Sequence, residues 1–437
     1  MSVSWSPDGS RIAFPRGGPD GDTLFVADRN ASNEKVVFDH RQPGIHAHFP
    51  TWSRDGRWIY FVLGNASVYE MDLWRVRPEG GEAERITHHN TDIRNPVAID
   101  NHTLLYVAKA EDGSGPYLYA VDVERRDSHR VSFGLEQYTA VDASADGRRV
   151  VASVANPSAG LFSVPILGDR AAEESDVKPL AVPNVRALLP RFGSEALFYL
   201  SSLGGGDGLW RFAKGESAEI WKGADGPLFE PPAVSADGRQ VAFNLRRRGR
   251  ITLHVMNVEG GGVRSLGESL DVRDAGSWSP DGQWIAIGGN DGKGAGLFKV
   301  PAAGGPPVRL TGKPGFKPVW SPDGRLIVYS GPVAGREQPV YGVSPDGASV
   351  ALPDLKVRFE GERYRFLPSG KGLVYMQGLQ RQQDFWLLEM VSQKTRPLTR
   401  LRNTAAMRTF DVSPDGKQIV FDRQRENSDI VLMELQR

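Results

Sequence analysis

Histidines are the side chains here best suited to hold a metal ion. His46-Ala47-His48 puts two imidazoles on one side of an extended chain, because alternate strand residues point the same way. His88-His89 follows about one repeat further on, so imidazoles from both stretches can meet around a divalent ion; the alternative is solvated loop histidines. Arg246-Arg-Arg-Gly-Arg250 offers positive charge to a phosphate or an acidic partner, or is plain solvated charge. Asn290-Asp-Gly-Lys-Gly-Ala-Gly296 contains a Gly-x-Gly, yet no helix follows to aim its N-terminus at a phosphate, so it reads as a turn.

Signatures of common enzymes are missing. There is no Gly-x-Ser-x-Gly elbow, no His-Glu-x-x-His and no Gly-x-x-x-x-Gly-Lys-Ser/Thr loop. Without cysteine, disulfides, thiolate metal sites and cysteine nucleophiles are excluded. No catalytic residue and no cofactor is implied. Lys plus Arg and Asp plus Glu number 53 each, which removes a general pull toward nucleic acid. No apolar run approaches the ~20 residues of a membrane span.

These residues hang on a repeated element. Ser-Pro-Asp-Gly or a variant starts at Ser6, Ser53, Ser144, Ser235, Ser279, Ser321 and Ser413, at intervals near 45 residues or twice that. Proline presets φ, aspartate bonds the backbone two residues on, and glycine accepts positive φ, so each copy is a tight turn between two strands. Degenerate copies fill the gaps at 96–107, 189–200 and 366–376. A third apolar run follows each hairpin, such as Leu297-Phe-Lys-Val300, then often a fourth, such as Val308-Arg-Leu-Thr311. Four strands per period predict an all-β fold, a β-propeller of about ten four-stranded units. The units start near residues 1, 48, 94, 138, 186, 230, 274, 316, 362 and 408, and the last lacks its fourth strand. The array is one large ring or two smaller rings in tandem, and the even spacing without a linker favours one. Gly168–Val177 is expected to be a surface loop. A second turn in the eighth unit, Ser344-Pro-Asp-Gly347, must join strands three and four.

The pattern Trp-Ser-Pro-Asp-Gly, an Ile-Ala-Phe strand, a Leu-Trp strand and an Arg-Leu-Thr strand resembles the WD40-like (PD40) repeat of TolB-like propellers. The stretch Phe410–Leu435 is also similar to propeller sensor halves of bacterial serine/threonine kinases and winged-helix regulators. The resemblance implies a non-enzymatic scaffold or sensor that binds a protein or peptide at the channel mouth, in a periplasmic or other extracytoplasmic location. A missing N-terminal effector domain is compatible with it. The alternatives are a propeller lyase or glycosidase with carboxylates at the channel, and the gating propeller of a serine peptidase.

If first strands line the channel, the residue four before each Trp position lies at its mouth. That gives His48, Arg94, Thr139, Arg186, Glu230, Asp274, Phe316, Glu362 and Arg408. A glycosidase would need two of the carboxylates Glu230, Asp274 and Glu362 about 5 to 10 Å apart. Trp5, Trp52, Trp278 and Trp320 recur in register and are expected in packing between sheets.

Overall fold

The computed structural model describes residues 2–18, 21–40, 45–65, 70–110, 114–132, 136–184, 186–201, 207–226, 228, 230–247, 250–274, 276–333, 337–358, 363–379, 381–402 and 405–435. Glu362, Arg248 and Gly249 lie outside them. The fold is all-β, a propeller of antiparallel, mostly four-stranded sheets, and the helices among the described residues are one-turn 3-10 segments.

The repeated turn closes as its composition demands. Gly282 N–H donates to the Ser279 carbonyl at 2.9 Å and Ser279 N–H to the Trp284 carbonyl at 2.8 Å. Trp284 N–H returns to Ser279 Oγ at 2.9 Å, while Ser279 Oγ donates to Asp281 Oδ1, which also accepts Gln283 N–H at 3.0 Å. Gly282 stands at φ +69°, where a side chain would be strained. The same Ser-to-Asp bond recurs at Ser6, Ser53, Ser144, Ser235, Ser321 and Ser413. The serine bond foremost holds Asp146, Asp237, Asp281, Asp323 and Asp415 below the usual carboxylate range, and Asp8 at about 2. Ser344-Pro-Asp-Gly347 joins Glu337–Val343 to Ser349–Val350, strands three and four of their sheet.

The chain divides into two compact units rather than the single array that the even spacing favoured. One comprises Met1–Pro157 with Glu426–Arg437, the other Ser158–Arg425. No linker marks the boundary because it falls inside two continuous strands, Arg149–Pro165 and Gln418–Glu434. In sequence, each of these 17-residue strands reads as two shorter ones, strands two and three of repeats four and ten. The split assigns their halves to different units. In the first unit, Gln137–Ala143 and residues 149–157 are joined by 426–434. In the second, Phe410–Val412 and residues 418–425 are completed by 158–165 and Lys178–Pro179, which supplies the missing fourth strand.

In the first unit, first strands Ser4–Trp5, Ile45–Trp52, Ile93–Ala98 and Gln137–Ala143 touch in succession. In the second, the described first strands are Leu188–Phe192, Ala233–Val234, Ser277–Trp278, Phe316–Trp320, Tyr364–Phe366 and Phe410–Val412. They touch in that order and the last meets the first again, so they form the inner wall of a closed ring. The core lies between successive sheets, as where Phe385 meets Phe410 and Phe421 with ring centroids 4.9 and 5.3 Å apart. Gly168–Val177 is no loose loop: Ala172–Glu173 pairs in parallel with Thr399–Arg400, and Arg423 grips Glu174 with two bonds of 2.7 and 2.8 Å. Alanine at 172 lets the backbone dock, since it is fully buried.

Three of the four register tryptophans pack between sheets as expected. The Trp52 indole N–H donates to the Ser4 carbonyl at 3.2 Å and that of Trp278 to Ala233 at 3.0 Å, each reaching the preceding sheet. Trp5 is 55% exposed and does not pack as the other three do. Trp278→Phe, which keeps an aromatic ring but loses the bond to Ala233, is expected to cost about 1 kcal/mol. Trp278→Ala should cost about 3–5 kcal/mol. Urea unfolding of both variants checks the order; a Trp278→Phe variant as stable as wild type would mean that the indole N–H contributes nothing, and equal losses that the packed ring does not.

Candidate functional site

Strand alternation alone does not decide which side chains face the ring interior, because the first strands carry a bulge. Phe49, Asn95, Leu189 and Lys317 sit at φ between 48° and 54°, inside or beside register shifts in their sheets. A left-handed residue inserted there breaks the two-residue alternation. It also takes an amide out of the ladder, and a side chain from the neighbouring sheet accepts it. Phe49 N–H donates to Ser2 Oγ at 3.1 Å, Leu189 N–H to Asp422 Oδ2 at 3.2 Å, and Lys317 N–H to Asp274 Oδ2.

The second unit gathers a charged cluster on its inner wall. Lys317 is half-buried and interacts electrostatically with Glu230, Arg363, Asp274 and Arg408; burial pulls its ammonium below the usual lysine range. Glu230 is pushed up by burial, against Lys317, Arg408 and Arg191. Arg191, 5% exposed, donates to the carbonyls of Pro190 and Phe410 at 2.7 and 3.0 Å. Arg363, also 5% exposed, donates to the Met407 carbonyl at 3.3 Å. Arg365 faces Asp411 at 3.5 Å.

Of the residues expected at a channel mouth, Glu230, Asp274 and Arg408 come together. Phe316 stands beside them half-buried, but its neighbour Lys317 carries the charge, one residue along because of the bulge. Arg363 likewise stands next to Glu362. Arg186 is off the site: the strand register makes Leu188, two residues on, the counterpart of Phe316, and Arg186 pairs with Asp207. His48, Arg94 and Thr139 belong to the other unit, so they cannot be assigned to this ring; Arg94 is held by Asp92 in a two-bond pair of 2.8 and 2.9 Å. One sequence signal does point to Lys317. It lies four residues before Ser321, as Phe49 lies four before Ser53.

Two carboxylates of this wall, Asp274 and Asp422, are occupied by backbone. Asp274, 2% exposed, accepts Gly288 N–H at 3.0 Å as well as Lys317 N–H, and its carbonyl accepts Asn244 Nδ2. Asp422 accepts the N–H groups of Leu189, Arg408 and Thr409.

In the first unit, Asp22, His46 and His48 approach one another. His46 Nδ1 lies 3.2 Å from Asp22 Oδ1, and Asp22 Oδ2 accepts Ala47 N–H at 3.0 Å. Burial, opposed by the charge of Asp22, lowers the His48 imidazole. His88 and His89 do not join them. His88 is exposed, and His89 packs against Tyr106 and Tyr119 with Nε2 at 2.6 Å from the Tyr106 hydroxyl. The side chains of Arg246 and Arg247 lie outside the described residues.

Turn chemistry, four-stranded sheets and a closed inner wall define a β-propeller of repeated four-stranded sheets. The WD40 family (WD domain, G-beta repeat) matches residues 261–293. Over 85 residues the chain is 33% identical to the uncharacterized protein Atu1656 of Agrobacterium fabrum, covering 19% of this chain and 27% of that protein. A putative TolB structure from Agrobacterium tumefaciens is similar at 17% identity and a TM-score of 0.45, covering 62% of this chain and 99% of that one. An oligogalacturonate lyase from Vibrio parahaemolyticus is similar at 14% identity and a TM-score of 0.27, covering 68% and 88%. No helix among the described residues is long and apolar enough to cross a membrane.

Burial pushes the Asp274 carboxyl up to about 7, against the pull of the two N–H groups. Unfolded, it titrates near ~4. The folded protein therefore holds the extra proton between these values, and this contribution to stability is full below pH ~4 and is lost as pH rises through 7. Stability curves of wild type and Asp274→Asn between pH 5 and 8 should accordingly shift in favour of the variant by at least about 1.4 kcal/mol, one pKa unit's worth. A difference that does not move with pH would show Asp274 ionised throughout.

Proposed function

We propose that the protein is a non-enzymatic binding propeller, and that the charged inner wall of the Ser158–Arg425 unit receives an acidic segment of a protein or peptide partner. The observation that carries this reading is the excess of cations there. Arg191, Lys317, Arg363, Arg365 and Arg408 stand against Glu230, Asp274, Asp411 and Asp422, and burial weakens charge of both signs, at Glu230 and Asp274 as at Lys317, Arg191 and Arg365. Lys317 is half-exposed and Arg408 exposed, so both are within reach of a partner. Rigid strands hold these groups, so little ordering entropy is lost on docking.

The same geometry speaks against acid–base chemistry. Asp274 and Asp422 spend their oxygens on backbone amides, which leaves Glu230 without an evident carboxylate companion among the described residues. The likeness to TolB supports an extracytoplasmic place of action for this reading.

Titrating a fluorescent, aspartate-rich peptide with the protein tests it. Binding should weaken roughly tenfold, about 1.4 kcal/mol, in Arg408→Glu, and should weaken with added salt. The peptide should be recovered intact by mass spectrometry. Equal affinity for a lysine-rich peptide would sink the acidic-partner reading, and a cleaved peptide would overturn the non-enzymatic one.

A further inference from the structure

We infer that Asp22, His46 and His48 form a binding site for a divalent transition-metal ion of the Zn2+ or Co2+ kind. One ligand atom from each residue lies within 4.8 Å of the others. His46 and His48 are alternate residues of the strand Ile45–Trp52 and project from one face, with ring centroids 5.8 Å apart. Asp22 comes from the preceding sheet, at the second position of the strand Gly21–Asp28, and is 6% exposed.

The carboxylate is already oriented. Its Oδ2 is fixed by the Ala47 amide, the residue between the two histidines, which turns Oδ1 toward His46. Across the ladder from Asp22 stands Gly17, where a Cβ would sit 3.2 Å from Oδ1. Glycine there leaves that oxygen open on the side a side chain would crowd. Ligand atoms of one tetrahedral ion with bonds near ~2.1 Å lie roughly 3.4 Å apart, so closing the set takes side-chain movements of about an ångström.

Two imidazoles and one carboxylate select borderline ions over Ca2+ and Mg2+, which favour all-oxygen sets. Three protein ligands also leave at least one position for water or for a group of an incoming molecule. The site lies in the Met1–Pro157 unit and needs nothing from the peptide-binding reading above, so either can fail alone.

Protein stripped with EDTA and titrated with Co2+, and separately with Zn2+ by calorimetry, should bind one ion per chain. X-ray absorption of the Zn2+ form should count two imidazoles. His46→Ala and His48→Ala should each weaken binding at least tenfold, whereas His88→Ala leaves it unchanged. Asp22→Asn also disturbs the bond to the Ala47 amide, so its circular dichroism is compared with wild type before its affinity is read. No binding by folded wild type, binding that survives the double histidine variant, or fewer than two imidazoles in the absorption spectrum would overturn the site.

Discussion

An amide that a bulge has taken out of its ladder must find another acceptor, and in this protein the acceptor comes from the next sheet. Ser2 answers Phe49, Asp422 answers Leu189, and Asp274 answers Lys317. Leaving one such group buried and unpaired would cost about 1–3 kcal/mol. The interaction therefore ties neighbouring sheets together at their inner strands, where each sheet presents an edge that has no ladder partner. The indole of Trp278 does the same work further along the strand, on the carbonyl side.

This constraint decides how the carboxylates of the inner wall are read. A buried aspartate with a raised pKa invites an acid–base role. Asp274 has that profile, but its oxygens point at Gly288 and Lys317 amides. Asp22 does a similar thing for Ala47 with one oxygen and keeps the other toward His46. The difference between a structural clamp and a ligand is thus one uncommitted oxygen.

Much of the fold was legible because its turns are chemically loud. Ser, Asp and Gly each do one job at Ser279, Asp281 and Gly282, and the same jobs recur along the chain, so the repeat and the sheets follow from composition. The bulge was not legible. Phe49, Asn95, Leu189 and Lys317 share a backbone conformation and no side-chain property, so counting by twos landed on Phe316 instead of Lys317. The partition into units was hidden for a different reason. Arg149–Pro165 and Gln418–Glu434 look like ordinary pairs of blade strands, and only their continuity reveals a boundary inside them. Asp22 was missed as a companion of His46 because it sits in another repeat, and no spacing links the two.

Those two long strands also impose an order of events on the ribosome. Every residue of the Ser158–Arg425 unit has been made by the time Arg425 emerges, so that unit can close while synthesis continues. The sheet of Gln137–Ala143 and residues 149–157 must wait for 426–434, although its other strands were made hundreds of residues earlier. Of the two units, the one whose translation starts earlier finishes folding later, and until then its fourth sheet keeps an open edge.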